Sequence, residues 1–227
     1  MSEELRTEEE QVEAIKKWWN ENGKSLIVTV VVVLGGYFGW NGYQENQRAE
    51  GEAASSIYQQ LVNKATKPLA EQTEADKTEL ETVAAQLKAE FPTSLYAQFA
   101  GLYLAKFAIE ADNFDAAAAE LQSLVDAGDQ SPVTYLAQVR LARVFIQQEK
   151  LDEALVLVAS VPEASFAAQY EETKGDVLFA QGDFAGALAA YQAARTSATA
   201  LGINTQVLQR KIDDLAGAQL AGAAEDA

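Results

Sequence analysis

The sequence predicts an all-α protein: a single N-terminal transmembrane helix followed by a helical-repeat α-solenoid domain. Three observations predict it. Residues 25–44, SLIVTVVVVLGGYFGWNGYQ, are twenty consecutive uncharged residues. Residues 45–227 are rich in Ala, Gln, Leu and Glu, all good helix formers, and Pro interrupts them only at Pro68, Pro92, Pro132 and Pro162. Within that region a pattern of small and apolar residues recurs at spacings of 33 and 37 residues, the period of stacked helix pairs.

The uncharged run is the first element. At about 1.5 Å rise per residue it reaches about 30 Å, the thickness of a bilayer's hydrocarbon core. Lys24 and Glu45 end it. Trp18 and Trp19 precede it, and Tyr37, Trp40 and Tyr43 stand near its exit, as in a helix anchored at both interfaces. The β-branched stretch Val28–Val33 would also suit a buried strand, but no second run of that kind supplies a partner. The long acidic segment ahead of the span, and the lack of a small-residue cleavage site after it, favour an uncleaved signal-anchor over a signal peptide. Lys16, Lys17 and Lys24 flank the span on its N-terminal side against Arg48 on the other. The positive-inside rule then puts the N-terminus in the cytoplasm and residues from about 45 onward outside, in the periplasm if the cell is Gram-negative. Gly35 and Gly39 make a G-x-x-x-G that would let another membrane helix approach closely. Before the span, Thr7 and Glu10 fit a capping box, and Val12, Ile15 and Trp19 fall on one helical face. Residues 1–24 are therefore expected to be a cytoplasmic amphipathic tail.

Composition bounds the chemistry. The 227 residues include 34 acidic and 17 basic groups, no His and no Cys. Imidazole bases, thiolate nucleophiles, zinc fingers, iron–sulfur clusters and disulfides are absent with them. Gly23-Lys24-Ser25 ends like a phosphate-binding loop, but the full motif needs Gly where Trp18 stands. Acid pairs such as Glu171/Glu172 and Asp213/Asp214 are expected by chance among so many carboxylates, on solvated helix faces. No catalytic residue, cofactor site or metal ligand is assigned, and an enzyme is not expected. A net charge of −17 also disfavours binding to nucleic acid.

The repeats come next. Gly175, Leu178, Gly182-Asp183-Phe184, Ala187, Tyr191 and Ala194 are echoed by Ala142, Phe145, Glu149-Lys150-Leu151, Ala154 and Val158, and again by Ala105, Asp112-Asn113-Phe114, Ala117 and Leu121. The stretch from Gly128 to Pro132 takes up the longer spacing as a loop. This pattern resembles the tetratricopeptide repeat, a helix–turn–helix unit of about 34 residues. Small residues at Gly175 and Ala187 would let the two helices of a unit meet, and Gly182 would tolerate the turn. Glu50–Ala65 and Glu74–Phe91 are expected to pair as a degenerate first unit, and Val207, Leu208, Ile212 and Leu215 to form a helix covering the last one. In such arrays the first helix of each unit lines a concave groove. The motif register places Phe99, Leu102, Lys106 and Ile109 there from the first copy, Leu136, Val139, Arg143 and Ile146 from the second, and Gln169, Glu172, Asp176 and Phe179 from the third. Apolar residues beside isolated charges suit an extended peptide or a partner's loop.

Anchor and repeats together are similar to the YfgM family. The likeness is carried by Glu10-Gln11-Val12-Glu13-Ala14-Ile15-Lys16-Lys17, Glu21-Asn22-Gly23-Lys24, a span ending near Gly39-Trp40, Arg140-Leu141-Ala142-Arg143-Val144 and Lys211-Ile212-Asp213-Asp214-Leu215. It covers 10–62 and 95–215 and is thin over 65–92. The resemblance implies a single-pass inner-membrane protein with a periplasmic tetratricopeptide-like domain. It further implies an ancillary subunit of the SecYEG translocon that pairs with the membrane-anchored chaperone PpiD and passes exported polypeptides to periplasmic chaperones. A self-assembling membrane scaffold, or a regulator acting through the cytoplasmic tail, is the alternative. The expected organisation is a tail over 1–24, the transmembrane helix over 25–44, a helical connector or degenerate repeat over 45–92, the repeat domain over 93–215 and a flexible tail over 216–227.

Overall fold

The structure, a computed structural model, describes residues 8–65, 73–128 and 130–225, with side chains over 10–65, 73–128 and 130–217. The chain falls into two units, Met1–Ala53 and Ala54–Ala227. Helix α1 (Glu8–Ala65) supplies all the described structure of the first. Val28–Val33 is helical within it, and no strand stands among the described residues to pair with such a run. By length and composition α1 is able to cross a membrane. Side chains through the uncharged stretch are exposed, among them Val31, Val32, Phe38 and Trp40. Thr29 satisfies its hydroxyl inside the helix by donating to the Ser25 carbonyl (2.9 Å). The helix continues without a break from Glu8 through the segment expected as a separate tail. The capping residue foreseen for it, Thr7, lies outside the described residues.

The second unit is a row of helix pairs. Residues 54–65 of α1 pack with α2 (Glu74–Glu90), burying Ala54, Leu61, Leu80, Val83, Ala84 and Leu87. Three pairs follow: α3 (Leu95–Glu110) with α4 (Phe114–Asp126), α5 (Pro132–Gln147) with α6 (Leu151–Leu157), and α7 (Ala167–Ala180) with α8 (Phe184–Ala200). Helix α9 (Gln206–Glu225) closes the row by laying Leu208, Ile212 and Leu215 over Ala187, Ala194 and Ala198 of α8. Val207, expected in that cover, is instead half exposed. It lies one residue before Leu208 on the helix, about 100° around its axis. The segment after residue 215, expected as a tail, is helical to Glu225.

Local chemistry accounts for where the helices begin and end. Thr73 and Asp76 form a reciprocal capping box at α2. Ser94, Asn113, Ser131 and Asp183 each accept a backbone N–H at the start of α3, α4, α5 and α8. The turn inside each pair needs one residue in the left-handed region. Gly182 provides it at φ 82°, whereas Asp112 (φ 56°) and Glu149 (φ 58°) adopt it with a side chain present, a strained choice outside glycine. The three stand at equivalent positions of the repeat.

The pairs close on small residues. Ala105 and Ala117, Ala142 and Ala154, and Gly175 and Ala187 stand at matching positions of the three repeats, all buried. A Cβ on Gly175 would sit 2.5 Å from the Tyr191 ring. Larger side chains fill the space between units. Leu121, Leu124, Val133 and Leu141 do so between the first two; Tyr135, Val139, Tyr170 and Val177 do so between the next. Polar ties recur with the same periodicity: Gln148 Nε2 donates to Asp115 Oδ1 (2.8 Å), and one repeat later Gln181 Nε2 donates to Asp152 Oδ1 (3.2 Å).

The buried phenol of Tyr170 donates to Gln138 Oε1 and to the Tyr135 carbonyl (3.3 Å). Burial, reinforced by Tyr135, pushes its pKa up to about 12 from 10.0. The stability gained by keeping it neutral is whole below the unfolded value and lost as pH rises from there through the folded one.

Two predictions follow from this packing. Gly175→Ala should destabilise the full chain by about 1–3 kcal/mol through overpacking against Tyr191, and Gly182→Ala by about 1–2 kcal/mol through left-handed strain, both read from denaturant midpoints in detergent. Tyr170→Phe should cost about 1 kcal/mol at neutral pH. That difference from the unaltered protein should narrow as the pH is raised from 10 toward about 12, the range set by the raised phenol.

Candidate protein-binding surface

Helices α3, α5 and α7 are the first members of their pairs, and one face of each is only partly covered. On α5 that face carries Leu136, Arg140, Arg143 and Gln147, spaced at i, i+4, i+7 and i+11. On α7 it carries Gln169, Glu172, Asp176 and Phe179. Lys106 and Ile109 occupy the corresponding end of α3.

Two cavities flank the α5 ridge. The first, about 570 Å³, lies toward α3 and includes Lys106, Ile109, Phe114, Arg140, Arg143 and Val144 in its lining. The second, about 450 Å³, lies toward α7 and α9 and includes Leu136, Val139, Gln169, Glu172, Ile203 and Val207, again with Arg140 and Arg143. A third of about 470 Å³ is walled by Asp176, Phe179, Phe184, Tyr191, Lys211 and Leu215. The Phe179 and Phe184 rings meet there at 5.6 Å, and both are about half exposed.

The structure thus brings together Lys106, Ile109, Leu136, Val139, Arg143, Gln169 and Glu172 around the first two cavities, and Asp176 and Phe179 at the third. Val139 is almost wholly buried and serves as floor. Phe99, Leu102 and Ile146 line none of the three. Phe99 stacks on Tyr58 (5.7 Å), Leu102 is in the core between the first two pairs, and Ile146 packs against the cluster containing Ala154 and Val158. Each lies on the side of its helix facing a neighbour, a distinction the motif register does not make. Gly35 and Gly39 have nothing of this chain within reach of an added Cβ.

Sequence reasoning passed over Arg140, Lys211, Ile203 and Val207. Arg140 and Arg143 interrupt an otherwise largely apolar helix in a chain with two acids per base, a signal that was there to read. Lys211 acts from outside the repeats and becomes visible only through contacts. Its Nζ donates to Glu172 Oε1 (2.9 Å) and Asp176 Oδ1 (2.6 Å) and lies 5.1 Å from the centre of the Tyr191 ring. Tyr191 donates its hydroxyl to Asp176 Oδ1 (2.7 Å). Burial first, then that hydrogen bond and the charges of Asp176 and Glu172, hold its phenol well above the usual range. Arg143 Nε donates to Thr173 Oγ1 (3.2 Å), and its Nη2 stands 4.0 Å from Glu172. These contacts tie α5, α7, α8 and α9 together through two acids.

Arg140 stands outside this network. Burial lowers its pKa, and the neighbouring Arg143 charge adds to the effect. Among the described residues no three His, Cys, Asp or Glu side chains gather as a metal site. The surface offers shape, apolar area and fixed charges, the means of binding another polypeptide.

The fold and this surface define a class: a tetratricopeptide-like helical-repeat protein with a long apolar helix at its N-terminus. A family model described as a tetratricopeptide repeat-like domain matches residues 16–217. The chain is 32% identical over 209 residues to the ancillary SecYEG translocon subunit of Haemophilus influenzae, covering 92% of this chain and 97% of that protein. It is 34% identical to the protein of that name from Aggregatibacter actinomycetemcomitans, with the same coverage. It is 31% identical to that from Escherichia coli, over 92% of this chain and 96% of the relative. The chain belongs to the YfgM family of ancillary SecYEG translocon subunits.

Lys211→Ala should cost about 1–2 kcal/mol, because it removes two partly shielded ion pairs and a cation–π contact together. Lys77→Ala, which breaks the exposed pair with Glu74, should leave the midpoint unchanged. Parallel denaturant titrations compare the two.

Proposed function

We propose that this chain is a membrane-anchored periplasmic adaptor that binds proteins beside the SecYEG translocon and links exported polypeptides to periplasmic chaperones, PpiD among them. It works by binding rather than by catalysis. The observation that carries the reading is the match to proteins named ancillary SecYEG translocon subunit over 92% of the chain. The apolar part of α1 serves as the anchor over residues 25–44. Lys16, Lys17 and Lys24 hold its N-terminal end in the cytoplasm, and the repeat domain faces the periplasm. Gly35 and Gly39 supply the close-packing face toward a membrane partner. The groove over α3, α5 and α7 supplies the contacts to polypeptide, and tethering raises its effective concentration at the site of export.

Photo-crosslinkers placed at Lys106, Gln169 and Phe179 in living cells test the reading. The expected outcome is adducts with translocon subunits, PpiD or exported chains, and protease attack on the repeat domain only once the outer membrane is opened. Adducts confined to cytosolic proteins, or a repeat domain still protected in spheroplasts, would rule it out. Gly35→Ile with Gly39→Ile should weaken co-purification with the translocon. Loss of self-association with the translocon contact intact would favour the scaffold reading instead.

A further inference from the structure

The cavities on either side of α5 share Arg140 and Arg143. Both have apolar walls: Ile109, Phe114 and Val144 on one side, Leu136, Val139 and Ile203 on the other. The remaining charges around them are engaged or peripheral. Lys106 pairs with Glu110 (3.5 Å), Glu172 is held by Lys211 (2.9 Å), Arg143 donates to Thr173, and Asp112 sits in the exposed turn after α3. Arg140 is the exception. Its guanidinium is partly withdrawn from water, has Arg143 as its charged neighbour, and forms no ion pair with an acid among the described residues. Glu110, Asp112 and Glu172 also line these cavities, but none of them forms an ion pair with Arg140 among the described residues.

We infer that this groove takes an extended polypeptide segment bearing an internal Asp or Glu between apolar residues, with the carboxylate seated on Arg140. The inference rests on the groove being the polypeptide-binding surface proposed above and names the chemistry it selects. Guanidinium and carboxylate match as a two-pronged, charge-assisted pair. A partly desolvated cation facing another cation gains more from an anion than one already paired in water does. The position of the pair decides where the acid lies in the ligand. Apolar space continues on both sides of Arg140, so a bound chain runs past it in both directions. The carboxylate therefore belongs to a side chain within the segment. The rest of the domain, strongly acidic, repels highly acidic segments, so one acid among apolar residues is the composition that fits.

The test uses the full chain in nanodiscs of zwitterionic lipid and three short labelled peptides. One is amide-capped with a single Asp between leucines; the second carries Asn in its place; the third is the Asn peptide with a free C-terminal carboxylate. The Asp peptide should bind about tenfold more tightly than its Asn twin, and that ratio should shrink as salt is raised. Arg140→Gln should reduce the ratio to less than about twofold while the Asn peptide's own affinity is kept, with Arg140→Lys between. The salt dependence is read on the unaltered protein and does not depend on any variant folding. Equal binding of the Asp and Asn peptides, or a ratio that survives Arg140→Gln, overturns the inference and leaves the groove reading standing. Binding of the free-carboxylate peptide equal to that of the Asp peptide also overturns it, by moving the acid to a chain end. Failure of all three peptides to bind, together with absence of crosslinks from the groove, defeats both.

Discussion

A close approach inside the last pair shapes the rest: an added Cβ on Gly175 would sit 2.5 Å from the Tyr191 ring. Ala105 and Ala117, Ala142 and Ala154, and Gly175 and Ala187 mark buried small-residue seams at matching positions of the three repeats. Small residues let two helices approach closely. Larger side chains, Leu121, Leu141, Tyr135 and Tyr170 among them, stack one unit on the next. Stacking in turn sets the first helices side by side and leaves one face of each uncovered. The groove is thus a consequence of how the pairs stack, and part of its lining, Val139 among it, also belongs to the core.

That division of labour explains the charges. Glu172 and Asp176 face the groove side of α7, but both are bound to Lys211, and Asp176 also accepts from Tyr191. They act as struts between the last repeat and α9, whose apolar face caps the exposed end of the stack. The same cation covers the face of Tyr191, whose ring occupies the space that a Gly175 side chain would need. One lysine outside the repeat motif therefore joins the narrowest seam, the acid pair and the capping helix.

Much of this was legible in the amino-acid sequence, for reasons that can be traced to particular residues. The seams show as Ala and Gly at fixed spacing, and at Gly175 an added Cβ would meet the Tyr191 ring. The turns show as Asp112, Glu149 and Gly182 because only one backbone conformation joins the helices, although two of the three lack the glycine that would announce it. The groove was harder to read. A motif register specifies which helix faces inward but leaves each helix's rotation undetermined, and it does not show that Phe99, Leu102 and Ile146 also touch neighbouring helices. Leu208 covers the last repeat as expected and Val207 does not, because adjacent residues on a helix differ by about 100° in direction. Contacts made by Lys211 across some 35 to 39 residues of chain to Asp176 and Glu172 have no local signature at all.

Under the proposed function, a membrane tether changes what the groove must accomplish. A free protein capturing an extended, disordered segment has to offset the ordering of that segment and the loss of its own translational freedom, both costs of several kcal/mol. A protein held in the membrane through which its ligands emerge meets them at high local concentration, so weak contacts suffice. Weak contacts also release the chain to the next partner without an input of energy, since dissociation rates follow affinity. A shallow groove with apolar pockets and few charges suits that role better than a deep, enclosed site. The acidic surface around it limits non-specific adhesion to other acidic proteins. On this view the modest size of the cavities is matched to transfer rather than to retention.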